Sequence, residues 1–197
     1  MIVRSAGPRD AGLAPAAVCL AVLFAGTGAA AYADSESHAD RAHDVVEVSP
    51  SGTAARPGDR RRDVVLVRTV HAQHVVLLIA GLRRLGASGF ELLWRVRTDA
   101  GTWRVQYNAD IPSTPFVVVY PPGDDEPSDC LAGAHRDAAH RRVAVSVPRS
   151  CLGGPHWVRT GLLVRHWVQF DTDVRLDDAR RTGLHGPARL GPRVQKG

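Results

Sequence analysis

Apolar and polar positions alternate along much of this chain with the two-residue period of β-strands. Over 90–98, Phe90, Leu92, Trp94 and Val96 share one face while Glu91, Arg95 and Arg97 share the other. Over 102–108, Trp103, Val105 and Tyr107 oppose Arg104 and Gln106. Trp94 and Trp103 are therefore read as core residues rather than as a sugar platform. In the long run 157–170, Val158, Thr160, Leu162, Val164, Val168 and Phe170 form the apolar set. Trp157, Arg159, Arg165, Trp167 and Gln169 fall opposite, and a β-bulge would reverse part of that assignment.

Further β-type runs lie at 64–70, 75–80, 116–120 and 143–147, and Val45, Val46 and Val48 mark a short strand. The Asp99-Ala100-Gly101 segment reads as a hairpin loop, with Gly101 suited to a positive φ. No window keeps a helical period over a useful length. Short strands without intervening helices predict an all-β chain, an antiparallel β-sandwich or jelly-roll-like single domain. Its predicted limits are 62–181. Residues 34–61 are expected to be a flexible arm with one short strand, polar and disordered over 34–42, with a Pro-, Gly- and Arg-rich linker to follow. Residues 182–197, carrying Gly183, Gly186, Pro187, Gly191 and Pro192, are expected to be a loose tail.

The first 33 residues read as a secretory signal peptide. Arg4 and Arg9 precede an uncharged stretch centred on 18–24, and Ala31-Tyr32-Ala33 forms a small-residue cleavage site before Asp34. The alternative is an uncleaved anchor, because the uncharged stretch is long enough to span a bilayer. Its Ala- and Gly-rich make-up and short apolar centre favour cleavage. No later segment is apolar enough to span a membrane. The expected location is therefore extracellular or cell-wall associated. Export also makes the cysteines legible: Cys130 and Cys151 alone would remain, and an oxidising compartment pairs them. Closing a loop of about 20 residues contributes roughly 3 kcal/mol in the chain-entropy account. A catalytic thiol is the alternative that export disfavours.

Composition adds charge. The chain has 197 residues, 25 basic against 20 acidic, for a net charge of +5. Every basic residue but Lys196 is Arg, and Arg is abundant together with Ala, Gly and Pro, as codon bias in a GC-rich genome would produce. A basic chain points first to an acidic partner. Export makes intracellular nucleic acid an unexpected one, and the arginines sit on alternate strand positions or in the 56–62 linker rather than in one aromatic-interleaved stripe.

The run Val147-Pro148-Arg149-Ser150-Cys151-Leu152-Gly153, followed by Trp157-Val158-Arg159, resembles a signature of uncharacterised small secreted actinobacterial β-sandwich proteins. Such chains also carry an Asp-Val opening before a strand ending in His, here Asp63-Val64 and His71, and an acidic pair, here Asp177-Asp178-Ala179. The resemblance covers roughly 60–180. It implies secretion, a β-sandwich and a Cys130–Cys151 bridge, and it implies no activity. The Arg-rich linker at 56–62 departs from the pattern. A looser likeness to jelly-roll carbohydrate-binding modules rests on architecture, with no motif behind it.

Two groups of residues are candidates for a site. Trp157, Arg159, Arg165 and Trp167 could form an aromatic, Arg-bearing face for a glycan, an anionic wall polymer or another envelope protein. The competing reading, and the preferred one, has the linker or the tail packing over that face. The acidic residues Asp171, Asp173, Asp177 and Asp178 could hold a structural calcium ion, since calcium takes several oxygen ligands. Against this, the spacing lacks the EF-hand order, and a solvated acidic loop beside Arg175 and Arg180 is the simpler reading. No other cofactor is expected. The nine histidines lack zinc-ligand spacing. There is no G-x-S-x-G elbow, S-x-x-K or glycine-rich phosphate loop, so the chain is read as non-catalytic. A small hydrolase assembled from separated residues such as Ser146, His140 and Asp137 is the least favoured alternative.

Overall fold

The computed structural model describes residues 33–60, 63–86, 89–109, 115–169, 173–182 and 186–197, and for 167–169 only the backbone path. Residues 1–32 of the expected signal peptide lie outside the described residues.

The chain is an all-β sandwich of two antiparallel sheets. The N-terminal strands are β1 (Asp34–Ala39), β2 (Val46–Ser49) and β3 (Gly52–Ala55). Next come β4 (Val64–His71), β5 (Val75–Leu82), β6 (Glu91–Thr98), β7 (Gly101–Asn108) and β8 (Phe116–Tyr120). Then follow β9 (Gly133–Asp137), β10 (Arg142–Pro148), β11 (Trp157–Gln169), β12 (Asp173–Asp178) and β13 (Val194–Gln195). The smaller sheet has the order β1-β4-β5-β10-β9. The larger has the order β3-β2-β12-β11-β6-β7-β8, with β13 pairing β11.

The predicted alternation decides which side chains meet between the sheets. Leu92, Trp94 and Val96 of β6, and Val105 and Tyr107 of β7, are buried against Val76, Leu78, Val143 and Val145 of the smaller sheet. Trp94 is fully buried, and trimming such a side chain to alanine costs about 3–5 kcal/mol. Gly101 has φ 144°, in the hairpin between β6 and β7 where a positive φ was expected. The register between β11 and β12 slips between Trp167 and Gln169, the irregularity that the length of β11 allowed for. A disulfide joins Cys130, in the β8–β9 connection, to Cys151, in a 3-10 turn at Arg149–Leu152, with a Cα–Cα distance of 5.7 Å.

The ends of the chain differ from the expectation. Residues 34–39, expected to be disordered, pair with β4 from Asp34↔His71 to Ala39↔Leu66. The expected linker contains β3, hydrogen-bonded to β2, and β9 lies between the β-type runs read at 116–120 and 143–147. These strands are short and lie at or near sheet edges. Backbone hydrogen bonds hold them, so they need no apolar alternation to mark them in the sequence.

The tail is also docked, not loose. β12 pairs only with the second half of β11, from Leu163 onward. Along the first half, Ala179 N donates to Leu162 O at 3.1 Å and Gly191 N to Thr160 O at 2.8 Å, and β13 pairs with Trp157 and Val158. The tail thus supplies the neighbour that this stretch of β11 would otherwise lack.

Candidate functional site

The candidate aromatic face does not stand open. Trp157 carries the Arg193 guanidinium 4.3 Å from its ring centroid. Arg159 Nε donates to Gly191 O at 2.7 Å. Tail and face are in such close contact that a Cβ on Gly161 would collide with the Arg189 carbonyl. Arg165 turns to Glu91, with Nε–Oε2 at 2.6 Å. Gln106 Nε2 (3.1 Å) and Asn108 Nδ2 (3.3 Å) donate to the other oxygen of Glu91. The side chain of Trp167 lies outside the described residues. Of the four predicted residues, three are therefore engaged with the tail or with Glu91.

The outer face of the larger sheet has a second feature. Strand pairing sets Leu163, Leu93 and Gln106 in one cross-strand row and Gly161, Arg95, Arg104 and Tyr120 in the next. A groove of about 460 Å³ lies over these rows, between the 121–125 loop and Pro187–Ala188. Leu93 and Leu163 contribute apolar surface to it, and Arg95, Thr102 and Arg104 contribute polar groups. Arg95 and Arg104 are direct cross-strand neighbours, an arrangement that costs stability unless something offsets the like charges. Arg104 lies over the Tyr120 ring at 4.0 Å and 3.5 Å from an exposed Asp125 oxygen. Among the described residues, Arg95 forms no ion pair.

Among the described residues, the acidic residues proposed for calcium are not brought together. Asp171 lies outside the described residues. Asp173 begins β12 and Asp177 is four residues on, about 13 Å away at the rise of a strand. Alternation sends Asp178 to the face opposite Asp177. There Asp178 accepts from Arg180 N (3.2 Å) and Arg189 N (3.1 Å) and pairs with Arg181 Nε at 2.7 Å.

Asp177 instead meets residues remote in sequence. One oxygen accepts from Val64 N at 2.6 Å. Carboxylate oxygens of Asp40, Asp44 and Asp177 all lie within 4.8 Å of one another. Asp40 and Asp44 sit between β1 and β2 and are partly buried, while Asp177 is 1% exposed. Burial, with the neighbouring Asp40, Asp44 and Asp63 charges adding to it, raises the Asp177 carboxyl from 3.8 to about 9. Burial, then the Asp44 charge, raises Asp40 to about 7. Asp44 is raised chiefly by burial. Asp63 adjoins the cluster, paired with Arg83 at 2.7 Å and accepting from His43 N at 3.1 Å. Sequence reasoning missed Asp40 and Asp44 because they lie in the arm 34–61 expected to be flexible, Asp40 within its part read as disordered. Their one local signal was an acidic pair four residues apart.

The remaining candidates are separate. His140 and Asp137 pair at 2.6 Å on the surface. Ser146 pairs with Gly133 at one end of the β9–β10 ladder and Asp137 with Arg142 at the other, roughly 13 Å apart along the strands. The Ser146–His140–Asp137 combination is not assembled. His71 is buried, with Nδ1 3.3 Å from Val194 O. Asp63, His71, Asp177, Asp178 and Ala179, which carry part of the resemblance, are all buried framework. Among the described residues no helix is long and apolar enough to cross a membrane. No family model, curated protein or solved structure matches this chain.

Proposed function

We propose that the protein is a secreted, non-catalytic β-sandwich module that binds an anionic glycan or wall polymer in the groove over β6, β7 and β11. The supporting observation is the cross-strand Arg95–Arg104 pair beside the apolar surface of Leu93 and Leu163. Tyr120 and Asp125 offset part of the Arg104 charge, and a polyanion supplies the counter-charge for Arg95 while its sugar rings cover the leucines. The Arg-rich composition and the bridge between Cys130 and Cys151 are in keeping with an exported, polymer-bound module.

The test is titration calorimetry with polygalacturonate as the anionic probe and a neutral glucan as control, at 50 and 300 mM salt. The reading predicts binding to the anionic polymer alone, weaker at high salt. Arg95→Ala and Arg104→Ala should each weaken it about tenfold, the equivalent of one charge-assisted contact. Equal binding of the neutral glucan, or unchanged affinity in the double variant, would overturn the reading. Export is tested separately, by sequencing the N-terminus of protein recovered from culture medium: a chain beginning at Asp34 supports it, and an intact Met1 does not.

A further inference from the structure

The Asp40–Asp44–Asp177 cluster has a property that hydrogen bonding within the fold leaves unexplained. Asp177 Oδ1, Asp40 Oδ2 and both oxygens of Asp44 are buried and reach no donor among the described residues. Asp63 Oδ1, in a fully buried side chain beside them, is in the same condition. A buried carboxylate oxygen without a donor is costly, and several converging on one point are more so. The cations nearby are already directed elsewhere. Arg83 pairs with the other oxygen of Asp63, Arg181 pairs with Asp178, and Arg180 pairs with Glu36 at 2.5 Å. Arg41 is exposed.

We infer that Asp40, Asp44 and Asp177 bind one calcium ion, which fastens the N-terminal segment to β12. The spacing fits: oxygens on opposite sides of a calcium ion, each at 2.3–2.6 Å, stand about 4.8 Å apart, and the cluster spans no more than 4.8 Å. The donor set also fits, since hard carboxylate oxygens suit calcium, which accepts varied geometry where magnesium demands a near-ideal octahedron. Burial first, and then the neighbouring carboxylates, raise Asp40 and Asp177, while the Arg41 charge offsets part of the same effect at Asp44. The site shares no residue with the Arg95–Arg104 groove and stands or falls independently of it.

The test uses the chelator-treated protein with calcium, magnesium and sodium chlorides matched in ionic strength. The inference predicts one calcium per chain by titration calorimetry. It predicts a melting temperature raised by ~5 °C or more at 10 mM calcium, as binding in the sub-millimolar range would produce, and little response to magnesium. Asp40→Asn, at a partly exposed position, should weaken calcium binding at least tenfold while leaving the far-ultraviolet circular dichroism unchanged. Asp177→Asn should abolish the calcium-dependent rise. Calcium should also slow proteolysis between residues 40 and 60. No thermal response beyond the sodium control, or a calcium response that survives in both variants, would overturn the inference.

Discussion

The hydroxyls of Thr69 and Thr160 meet at 2.5 Å across the middle of the sandwich, one from β4 in the smaller sheet and one from β11 in the larger. Both residues are buried, so each hydroxyl has the other as its partner in a place that water does not reach. The pair links the two sheets and fixes the position of β11 against β4.

This makes Thr69 and Thr160 a non-additive pair. Either Thr→Val change alone strands one hydroxyl and should cost about 1–3 kcal/mol. The double change removes both hydroxyls and keeps the shape, so it should cost less than the sum of the single changes. Urea denaturation of the four proteins measures this directly, and strict additivity would show that the hydroxyls do not depend on each other.

The close approach of the tail to Gly161 gives a second outcome. A Cβ there meets the Arg189 backbone, so Gly161→Ala must push the tail off β11 or bend the strand. A loss of about 2 kcal/mol or more is expected, in the range of overpacked sites, with faster proteolysis after residue 182. Gly133→Ala is the control. Gly133 has open space at its Cβ position and no positive φ, so its change should stay within about 0.5 kcal/mol.

Removing the disulfide should destabilise the fold without dismantling it. Cys130 and Cys151 are 21 residues apart and pack against the edge of a continuous core. A Cys130→Ser, Cys151→Ser double variant should lose about 3 kcal/mol. Its urea midpoint should equal that of the wild type measured under reducing conditions.

Stability of the metal-free protein should fall as pH rises. Asp177 is raised from 3.8 to about 9 and Asp40 to about 7. A carboxyl raised in this way keeps its proton in the fold at pH values where the unfolded chain has lost it. Its contribution is therefore whole below about 3.8 and is lost as pH rises through about 7 for Asp40 and about 9 for Asp177. His71 is lowered by burial and acts in the opposite sense, adding stability above its ordinary value of 6.5 that fades on acidification. Melting temperatures in chelator from pH 5 to 9 should decline more steeply for the wild type than for Asp177→Asn, which removes the buried charge. A flat wild-type profile would show that the cluster is not desolvated.

The sequence by itself determined the fold class, the principal strands and the pairing of Cys130 with Cys151. Alternating burial is a local property, and it placed Trp94, Trp103, Val158, Thr160 and Leu162 in the core from their own neighbours alone. The pairing of Cys130 with Cys151 followed from reading the first 33 residues, Cys19 among them, as a signal peptide removed on export. Only the tertiary structure decided the edges and the sites. β1, β3, β9 and β13 are held by backbone hydrogen bonds that any polar sequence can make, so their composition did not announce them. The acidic residues of 171–178 looked like one cluster in the sequence, but a strand spreads neighbours along 3.3 Å steps and onto opposite faces. Asp177 gathers with Asp40 and Asp44 because β1, β2 and β12 converge in space, a juxtaposition across more than a hundred residues of chain that no local pattern encodes. The tail likewise reaches Trp157 and Arg159 only through the fold, whereas the β6–β7 hairpin sets Arg95 beside Arg104 by its local register.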